Sequence, residues 1–515
     1  MMIDVDKLTR ITEIDQWKKT YNEEIEKLDH LYQEEERLYY ELYSTGNQST
    51  RIAEISQIKY QIMTNQKLYN TLIAWREIFQ NHVVWKRRLD VFLAKINLER
   101  LDSHPELVKL QQKLQSKLMG SKFTYNGIEY NIGKAHSTIM ENSDRELRKQ
   151  LLLEMKKIGR GNEALFRELI QKRNELSKEQ GYNNYYSLRC SLREVNMDTY
   201  RNEMQNLIEQ SKSVVAYWNN RIKDKFGWKR IHLYDQYYTA FNFHRIEGEA
   251  FKSIRMKEVL GDIINSLGIN MDHVPVDIKT MEIPYGGFCI NINPTDIRLV
   301  VNRRDSYSAF LSGIHELGHA IDGYFSSYQY PELYRFYSSI AAEAVAELFQ
   351  TIITDGEFLR KNFDINDEIL SQIRDKYQLT DIKMVKMNYY YSLVELELYD
   401  NPDRCFEEIA NHCYQQVFGE EGETFHPASE MFYIENPAFF QDYNYALAIR
   451  DMIREKFSIE SLYNKTAVFQ ELLNMFIKPN QLFSWNQRVE SLCGEPYSFQ
   501  YLANRLSNTL GTNPE

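Results

Sequence analysis

Residues 306–325 read SYSAFLSGIHELGHAIDGYF, and the rest of the chain is best understood outward from this stretch. Its large apolar residues recur at steps of three and four, which predicts an amphipathic helix. His315 and His319 are four positions apart, so both imidazoles lie on one face of that helix and can bind the same metal ion. Glu316 follows His315, and from there its carboxylate can take a proton from water at the ion.

Residues 338–352, SSIAAEAVAELFQTI, supply a third ligand. A serine at position 338 or 339 can cap a new helix. Glu343, 24 residues after His319, would complete a His₂Glu set that binds one Zn²⁺ per chain and leaves one coordination position open. Glu347, one turn further on, would accept the N–H of a ligating histidine and fix its orientation. The alanines of this segment and Gly318 of the first helix predict close packing between the two.

The flanking sequence separates a small sheet from long helices. Residues 274–302 contain three prolines, two adjacent glycines and alternating apolar residues, the pattern of short strands. The first hundred residues contain one glycine, Gly46, and no proline, which favours long helices. Residues 120–133 are predicted to form a loop or a small hairpin. The expected fold is mainly α with a small β-sheet beside the zinc helix, organised as a mostly helical region 1–270 and a catalytic region 271–515.

Composition excludes several classes of protein. The chain has 62 Lys+Arg against 73 Asp+Glu and a net charge of −11, so no overall positive field attracts nucleic acid or an anionic membrane. Its five cysteines form no CxxC pair, which argues against a disulfide framework and favours a reducing, cytoplasmic location. The N-terminus lacks the apolar segment of a signal peptide, and no apolar run approaches the ~20 residues of a transmembrane helix. Phosphate-loop and serine-hydrolase motifs are also missing.

IHELGHAID followed by EAVAE resembles the gluzincin metallopeptidases. Within that group, the chain is similar to the oligopeptidases of the thimet-oligopeptidase and oligoendopeptidase type and to the related angiotensin-converting-enzyme family. Four segments carry this likeness: NELSKEQGYNNYYSLR (174–189), LYDQYY (233–238), PYGGFCININPTDIRLVVNRRDSYSAFLSGIHELGHA (284–320) and HPASEMFYIENPAFFQDYNYALA (426–448). The resemblance implies a large helical, two-lobed body around a deep channel, which admits short unstructured peptides beneath N-terminal roofing helices.

The resemblance also implies roles for residues outside the metal site. Gly286, Gly287 and Phe288 would lie on an edge strand whose backbone pairs with an extended substrate, and an ordinary tight turn is the alternative interpretation. Tyr443 matches the tyrosine that these families direct at the oxyanion of the transition state. Tyr445, two residues on, is a second candidate.

Some positions depart from the family pattern. The families often place a histidine where this chain has Tyr433, so the second donor is either Tyr433 or, if the loop folds back, His426. Tyr433 and Tyr445 are both predicted to contact substrate. Met431 and Asp442 replace a lysine and an arginine expected of the converting-enzyme type, which weakens a dipeptidyl-carboxypeptidase interpretation.

Three functions are therefore open from the sequence. The first is a cytoplasmic, zinc-dependent, endo-acting oligopeptidase whose partners are short peptides. The second is a dipeptidyl carboxypeptidase or a dedicated peptide-processing enzyme. The third is a catalytically inactive, zinc-bound scaffold that binds peptides, and the intact Glu316 argues against it because a scaffold needs no general base.

Overall fold

A computed structural model of the chain describes residues 3–246 and 249–508. Most of these residues are helical, and the strands within the described ranges form two small sheets. The predicted mainly α fold is thus confirmed. No helix of the described ranges combines the length and the apolar character needed to cross a membrane.

The helices of the first half of the chain are α1 (Val5–Arg10), α2 (Ile14–Thr45), α3 (Thr50–Met63), α4 (Gln66–Ile78), α5 (Val83–Asp102), α6 (Pro105–Gly120), α7 (Ile132–Glu141), α8 (Arg145–Glu179), α9 (Tyr185–Leu192), α10 (Met197–Gln210), α11 (Lys212–Phe226) and α12 (Leu233–Asn242). The later helices are α13 (Met256–Ser266), α14 (Tyr307–Phe325), α15 (Pro331–Arg335), α16 (Ser339–Gln350), α17 (Gly356–Phe363), α18 (Asp367–Asp400), α19 (Phe406–Phe418), α20 (Phe432–Glu435), α21 (Phe440–Lys456), α22 (Thr466–Leu472), α23 (Trp485–Cys493) and α24 (Gln500–Asn508). The strands are β1 (Lys122–Tyr125), β2 (Ile128–Asn131), β3 (Val276–Met281), β4 (Gly287–Asn293) and β5 (Asp296–Asn302).

The glycine-poor N-terminal sequence forms α1 to α5, as predicted. Helix α2 runs for 32 residues and ends where Gly46 adopts φ +77° and donates its N–H to the Leu42 carbonyl oxygen at 2.8 Å. Glycine takes this left-handed conformation without a steric cost, so it ends the helix. Trp17, Tyr21, Ile25, Leu28 and Leu31 of α2 are buried, and Trp17 stacks on Trp75 of α4 with ring centroids 4.5 Å apart.

Both β segments lie where the sequence predicted them. Strands β1 and β2 pair antiparallel as a small hairpin within residues 120–133. The second sheet has the order β3-β5-β4, with β3 parallel and β4 antiparallel to β5. The central strand β5 is the most apolar and has fully buried residues at Ile297, Leu299, Val300 and Val301. Strand β4 therefore lies at an edge of this sheet.

Chain contacts divide the molecule into two compact units, each built from separate segments. The first unit comprises the described residues of Met1–Arg100, Ile246–Leu370 and Ile449–Ser498. The second comprises those of Leu101–Arg245, Ser371–Ala448 and Phe499–Glu515. Residue 270, the predicted boundary between regions, lies inside the first unit. The first unit holds the three-stranded sheet, α14 and α16, and hence the predicted metal ligands.

Candidate active site

Helix α14 carries the HExxH motif. Ser306 has an extended backbone and its hydroxyl accepts the Ala309 N–H at 3.2 Å, which caps the first turn of the helix. Four apolar residues that predicted the helix are fully buried: Phe310, Ile314, Leu317 and Ile321. The same periodicity leaves His315, Glu316 and His319 half-buried on another face.

Helix α16 begins at the serine cap that the sequence predicted. Ser338 accepts the Ala341 N–H at 3.4 Å, so the cap is the first of the two candidate serines. The helix packs closely on α14, because a Cβ atom on Gly318 would lie only 2.5 Å from the Ala346 Cα. Small residues at this crossing bring Glu343 to the histidines.

The three predicted ligands lie together. His315 Nε2 is 3.5 Å and His319 Nε2 is 3.8 Å from the same oxygen, Glu343 Oε2. All three atoms lie within 4.8 Å of one another. Two ligands about 2.1 Å from a tetrahedral zinc ion lie roughly 3.4 Å apart, so the observed spacing suits Zn²⁺.

The surroundings of these atoms also fit a metal site. Glu343 Oε2 is buried and has no hydrogen-bond partner among the described residues, which is costly for a carboxylate unless a cation pairs with it. Burial lowers the pKa of both imidazoles, but the Glu343 carboxylate raises the pKa of His315 to about 9, whereas the pKa of His319 is lowered to about 4. Because a ligating imidazole must be neutral, Zn²⁺ competes with a proton at His315.

Glu316 lies between the ligands and the edge strand. Its Cγ is 3.1 Å from the position of a Cβ on Gly287, and its carboxylate accepts the Cys289 N–H. Burial raises the pKa of Glu316 to about 7, although the neighbouring His315 imidazole opposes the shift. A carboxylate whose pKa is close to neutral can both accept and return a proton.

Glu347 has a partner that the sequence did not predict. Its Oε2 lies 3.4 Å from Nη1 of Arg450, a fully buried arginine on α21 that also pairs with Asp451. His315 Nδ1 is buried without a hydrogen-bond partner among the described residues. The predicted hydrogen bond from a ligating histidine to Glu347 therefore stays a prediction.

The two adjacent glycines let helix α14 approach the sheet. A Cβ on Gly286 would lie 2.5 Å from the Ser312 hydroxyl of α14, and a Cβ on Gly287 would lie 3.1 Å from Cγ of Glu316 on the same helix. Gly287 and Phe288 open strand β4, and Gly286 directly precedes it. This position agrees with the edge strand that the resemblance implied, and the pairing of substrate with it stays a prediction.

An arginine that sequence reasoning missed closes the far part of this edge. Arg335 donates from Nη2 to the Ile292 carbonyl oxygen at 2.7 Å and from Nη1 to the Asn291 carbonyl oxygen at 3.4 Å. Its Nε donates to Asp29 of α2. No spacing or motif in the sequence links these positions.

The predicted tyrosines belong to the second unit. Tyr443 is half-buried on α21, with its ring edge-on to Phe439 at 5.3 Å. Tyr445 is fully buried and stacks on Tyr200, with ring centroids 5.4 Å apart. Tyr433 is 1% exposed and donates its hydroxyl to the Tyr391 carbonyl oxygen at 2.8 Å. Tyr433 and Tyr445 thus occupy core positions, and the roles of all three predicted tyrosines stay predictions.

His426, the other candidate donor, is also part of a core. It is fully buried, and its Nε2 lies 3.1 Å from Glu163 Oε2. Its ring occupies the space beside Gly159 of α8, where a Cβ would lie 2.6 Å from the His426 Cβ. His426 is therefore engaged within the second unit.

This mainly α chain, with HExxH on α14 and Glu343 on α16 beside a small sheet, shares its fold with solved peptidase structures. PZ peptidase A with inhibitor 2 is similar over 99% of this chain and 95% of its own, with a TM-score of 0.73 and 12% identity. A solved structure described as a "putative oligoendopeptidase F" is similar over the same shares, with a TM-score of 0.72 and 14% identity. No protein-family model matches the sequence, and no curated protein matches it.

Proposed function

We propose that the chain is a zinc-dependent metallopeptidase of the oligopeptidase type, which cuts short unstructured peptides at internal bonds. One observation carries this proposal: the two imidazoles and one carboxylate converge on a common point, with Glu316 beside them. A His₂Glu set leaves one coordination position open, which is the arrangement of catalytic rather than structural zinc sites. The shared fold with two peptidases supports the same conclusion.

Five residues would carry out the proposed peptide hydrolysis. His315, His319 and Glu343 would hold Zn²⁺, which when bound supplies a Lewis acid for the scissile carbonyl and a more acidic water. Glu316 takes the proton from the attacking water and later gives it to the leaving amine. By the resemblance, Tyr443 would donate a hydrogen bond from its phenol to the developing oxyanion. Its half-buried side chain is compatible with this role, whereas Tyr433 and Tyr445 lie in a core.

Substrate binding would use the open edge of the three-stranded sheet. A peptide in an extended conformation adds its backbone to an edge strand, where free N–H and C=O groups supply hydrogen bonds. Gly286, Gly287 and Phe288 lie at the end of β4 closest to Glu316, so a bond paired there is within reach of the general base. The proposal has four further parts, which rest on the sequence and the resemblance. They are a restriction to short peptides, a closed channel, one zinc per chain and a cytoplasmic location.

A library of short synthetic peptides tests the proposal. The zinc-loaded wild type and the Glu316→Gln variant are incubated with it, and the cut sites are mapped by mass spectrometry. We expect internal cuts by the wild type and almost none by the variant. Removal of dipeptides from the carboxyl end alone would identify a dipeptidyl carboxypeptidase, and binding without hydrolysis would identify an inactive scaffold.

A further inference from the structure

Only part of β4 is available to pair with another strand. Arg335 occupies the carbonyl oxygens of Asn291 and Ile292, and Asp29 holds the guanidinium in place. The side chains of this ion pair are only 8% and 10% exposed, so the blocking group is fixed. A peptide added to this edge therefore pairs with the stretch before Asn291, where Glu316 accepts the Cys289 N–H, and Arg335 prevents the pairing from extending further along β4.

The two faces of this open stretch differ. Side chains alternate along a strand, so neighbouring residues face opposite sides of the sheet. At Gly287 the sheet faces Glu316 and the zinc helix. Phe288, the next residue, faces α2 and packs edge-on against Tyr43 at 5.8 Å and Tyr40 at 6.1 Å.

Beside Phe288 lies a set of aromatic rings that we call the aromatic patch: Tyr39, Tyr43, Tyr285 and Phe288. Tyr43 stacks on Tyr39 with centroids 5.7 Å apart, and the Tyr285 ring lies 5.8 Å from Phe288. The Tyr285 hydroxyl donates to the Tyr43 carbonyl oxygen, which holds the patch together. Tyr43 remains 45% exposed and Tyr285 37% exposed. Exposed aromatic surface held rigid next to a binding strand offers contact area at little entropic cost.

We propose that the aromatic patch selects substrates by a single large apolar side chain, aromatic or long aliphatic. This inference rests on the proposed function and adds the specificity of the same site. When a peptide pairs with the open stretch of β4, the residue opposite Phe288 points to the patch, and its two neighbours point to the side of Glu316. The preference therefore falls at one position, about two residues or fewer from the scissile bond.

Binding measurements separate this inference from catalysis. In the Glu316→Gln background, peptides that differ at one scanned position (Phe, Leu, Ala or Asp) are titrated by fluorescence anisotropy. We expect one position at which Phe and Leu bind about tenfold or more tightly than Ala, the usual range for one apolar group in a pocket. Adding Tyr43→Ala should abolish most of that difference, and adding Tyr43→Phe, which keeps the ring, should preserve it.

Phe483→Ala is the matched control, because Phe483 is 40% exposed in the same unit and is not part of the patch. It should leave the preference unchanged. The inference is overturned if no position shows an apolar preference before the patch is altered, or if Tyr43→Ala keeps that preference. Selective binding without hydrolysis by the wild type would instead contradict the proposed function and leave the patch assignment standing.

Discussion

Among single residues, Glu316 differs from the three predicted metal ligands because it is predicted to move a proton and not to bind the metal. Glu316→Gln removes the proton acceptor and leaves all three ligands in place. Zinc content, measured by elemental analysis, should stay near one per chain while kcat/KM falls by ~10²–10⁴-fold. His315→Ala and Glu343→Ala should instead lose most of the zinc. Near-normal hydrolysis by Glu316→Gln would refute the assigned mechanism.

Glu347 is predicted to support the metal site without touching the metal. Glu347→Gln replaces the carboxylate that pairs with Arg450 and acts electrostatically on His315, so it should weaken zinc binding by ~10–100-fold and leave the fold intact. Competition with a chelator measures the affinity. Glu357→Gln, at an exposed position on α17, serves as the control and should bind zinc like the wild type. An unchanged zinc affinity in Glu347→Gln would show that Glu347 pairs with Arg450 and does not support the metal site.

For single residues, the sequence predicted the candidate metal ligands better than it predicted the side chains around the site. The spacing of His315, His319 and Glu343 indicates a metal site, because donors that bind one ion must lie at particular positions along their helices. Arg335 and Arg450 have no such spacing. Arg335 binds the Ile292 carbonyl oxygen on strand β4, and Arg450 pairs with Glu347, which lies 103 positions earlier in the chain. Tyr433 and Tyr445 were chosen because they lie in a segment that resembles the family, and such a resemblance does not show whether a side chain is buried.

Among the elements, the crossing of α14 and α16 depends on Gly318. Any side chain there must displace the backbone at Ala346, so Gly318→Val should lower the unfolding free energy by ~1–3 kcal/mol or more and reduce zinc content. Gly161, which is exposed within α8 and has open space around it, offers a matched control. Gly161→Ala should raise stability by ~0.5–1 kcal/mol, because alanine favours the helix. Thermal unfolding of both variants tests this contrast.

Helix α18 carries a buried lysine that couples stability to pH. Lys383 is 3% exposed and donates to Gln236 Oε1 at 2.5 Å, with Lys386, Lys223, Glu420 and Asp235 as the charged groups around it. Burial lowers its pKa to about 7, and an unfolded lysine has a pKa of about 10.4. Between these values the unfolded chain binds a proton that the folded chain does not, so this group makes stability rise with pH.

Lys383→Met removes that dependence. Its unfolding free energy relative to the wild type should therefore fall as pH rises from about 7 to about 10, by at most ~1.4 kcal/mol per pH unit. Urea unfolding at three pH values measures the change. Lys109→Met, at an exposed position on α6, should follow the wild-type profile. A difference that does not vary with pH would show that Lys383 keeps an ordinary pKa.

The elements themselves were predictable to different degrees. Long helices followed from apolar spacing and from the scarcity of glycine, and the strands followed from proline, glycine and alternation. The strand order was not predictable, because β5 pairs on one side with the preceding strand β4 and on the other with β3, which lies earlier in the chain. Local patterns determine which residues become strands, and long-range packing determines which strands pair.

For the whole molecule, the resemblance predicts a limit on substrate size. Unstructured short peptides should be hydrolysed and a stably folded protein should not, because the expected channel admits only a flexible chain. Incubation of the zinc-loaded protein with a peptide, and with a folded protein that contains the same sequence in a buried strand, tests this by mass spectrometry. The same protein after denaturation and fragmentation is the control and should be cut. Efficient cleavage of the folded form would exclude the expected channel.

The first unit gathers three separated segments of the chain, and this has a consequence for how the protein is made. A ribosome delivers Glu343 and Glu347 long before Arg450, the buried residue that pairs with Glu347. At a usual synthesis rate the interval is roughly 5–20 s, during which the nascent chain has its proposed metal ligands but not the segment that completes their unit. Fragments released before residue 450 lack that segment. The order of translation thus delays completion of the first unit, which holds the proposed zinc ligands, until most of the polypeptide exists.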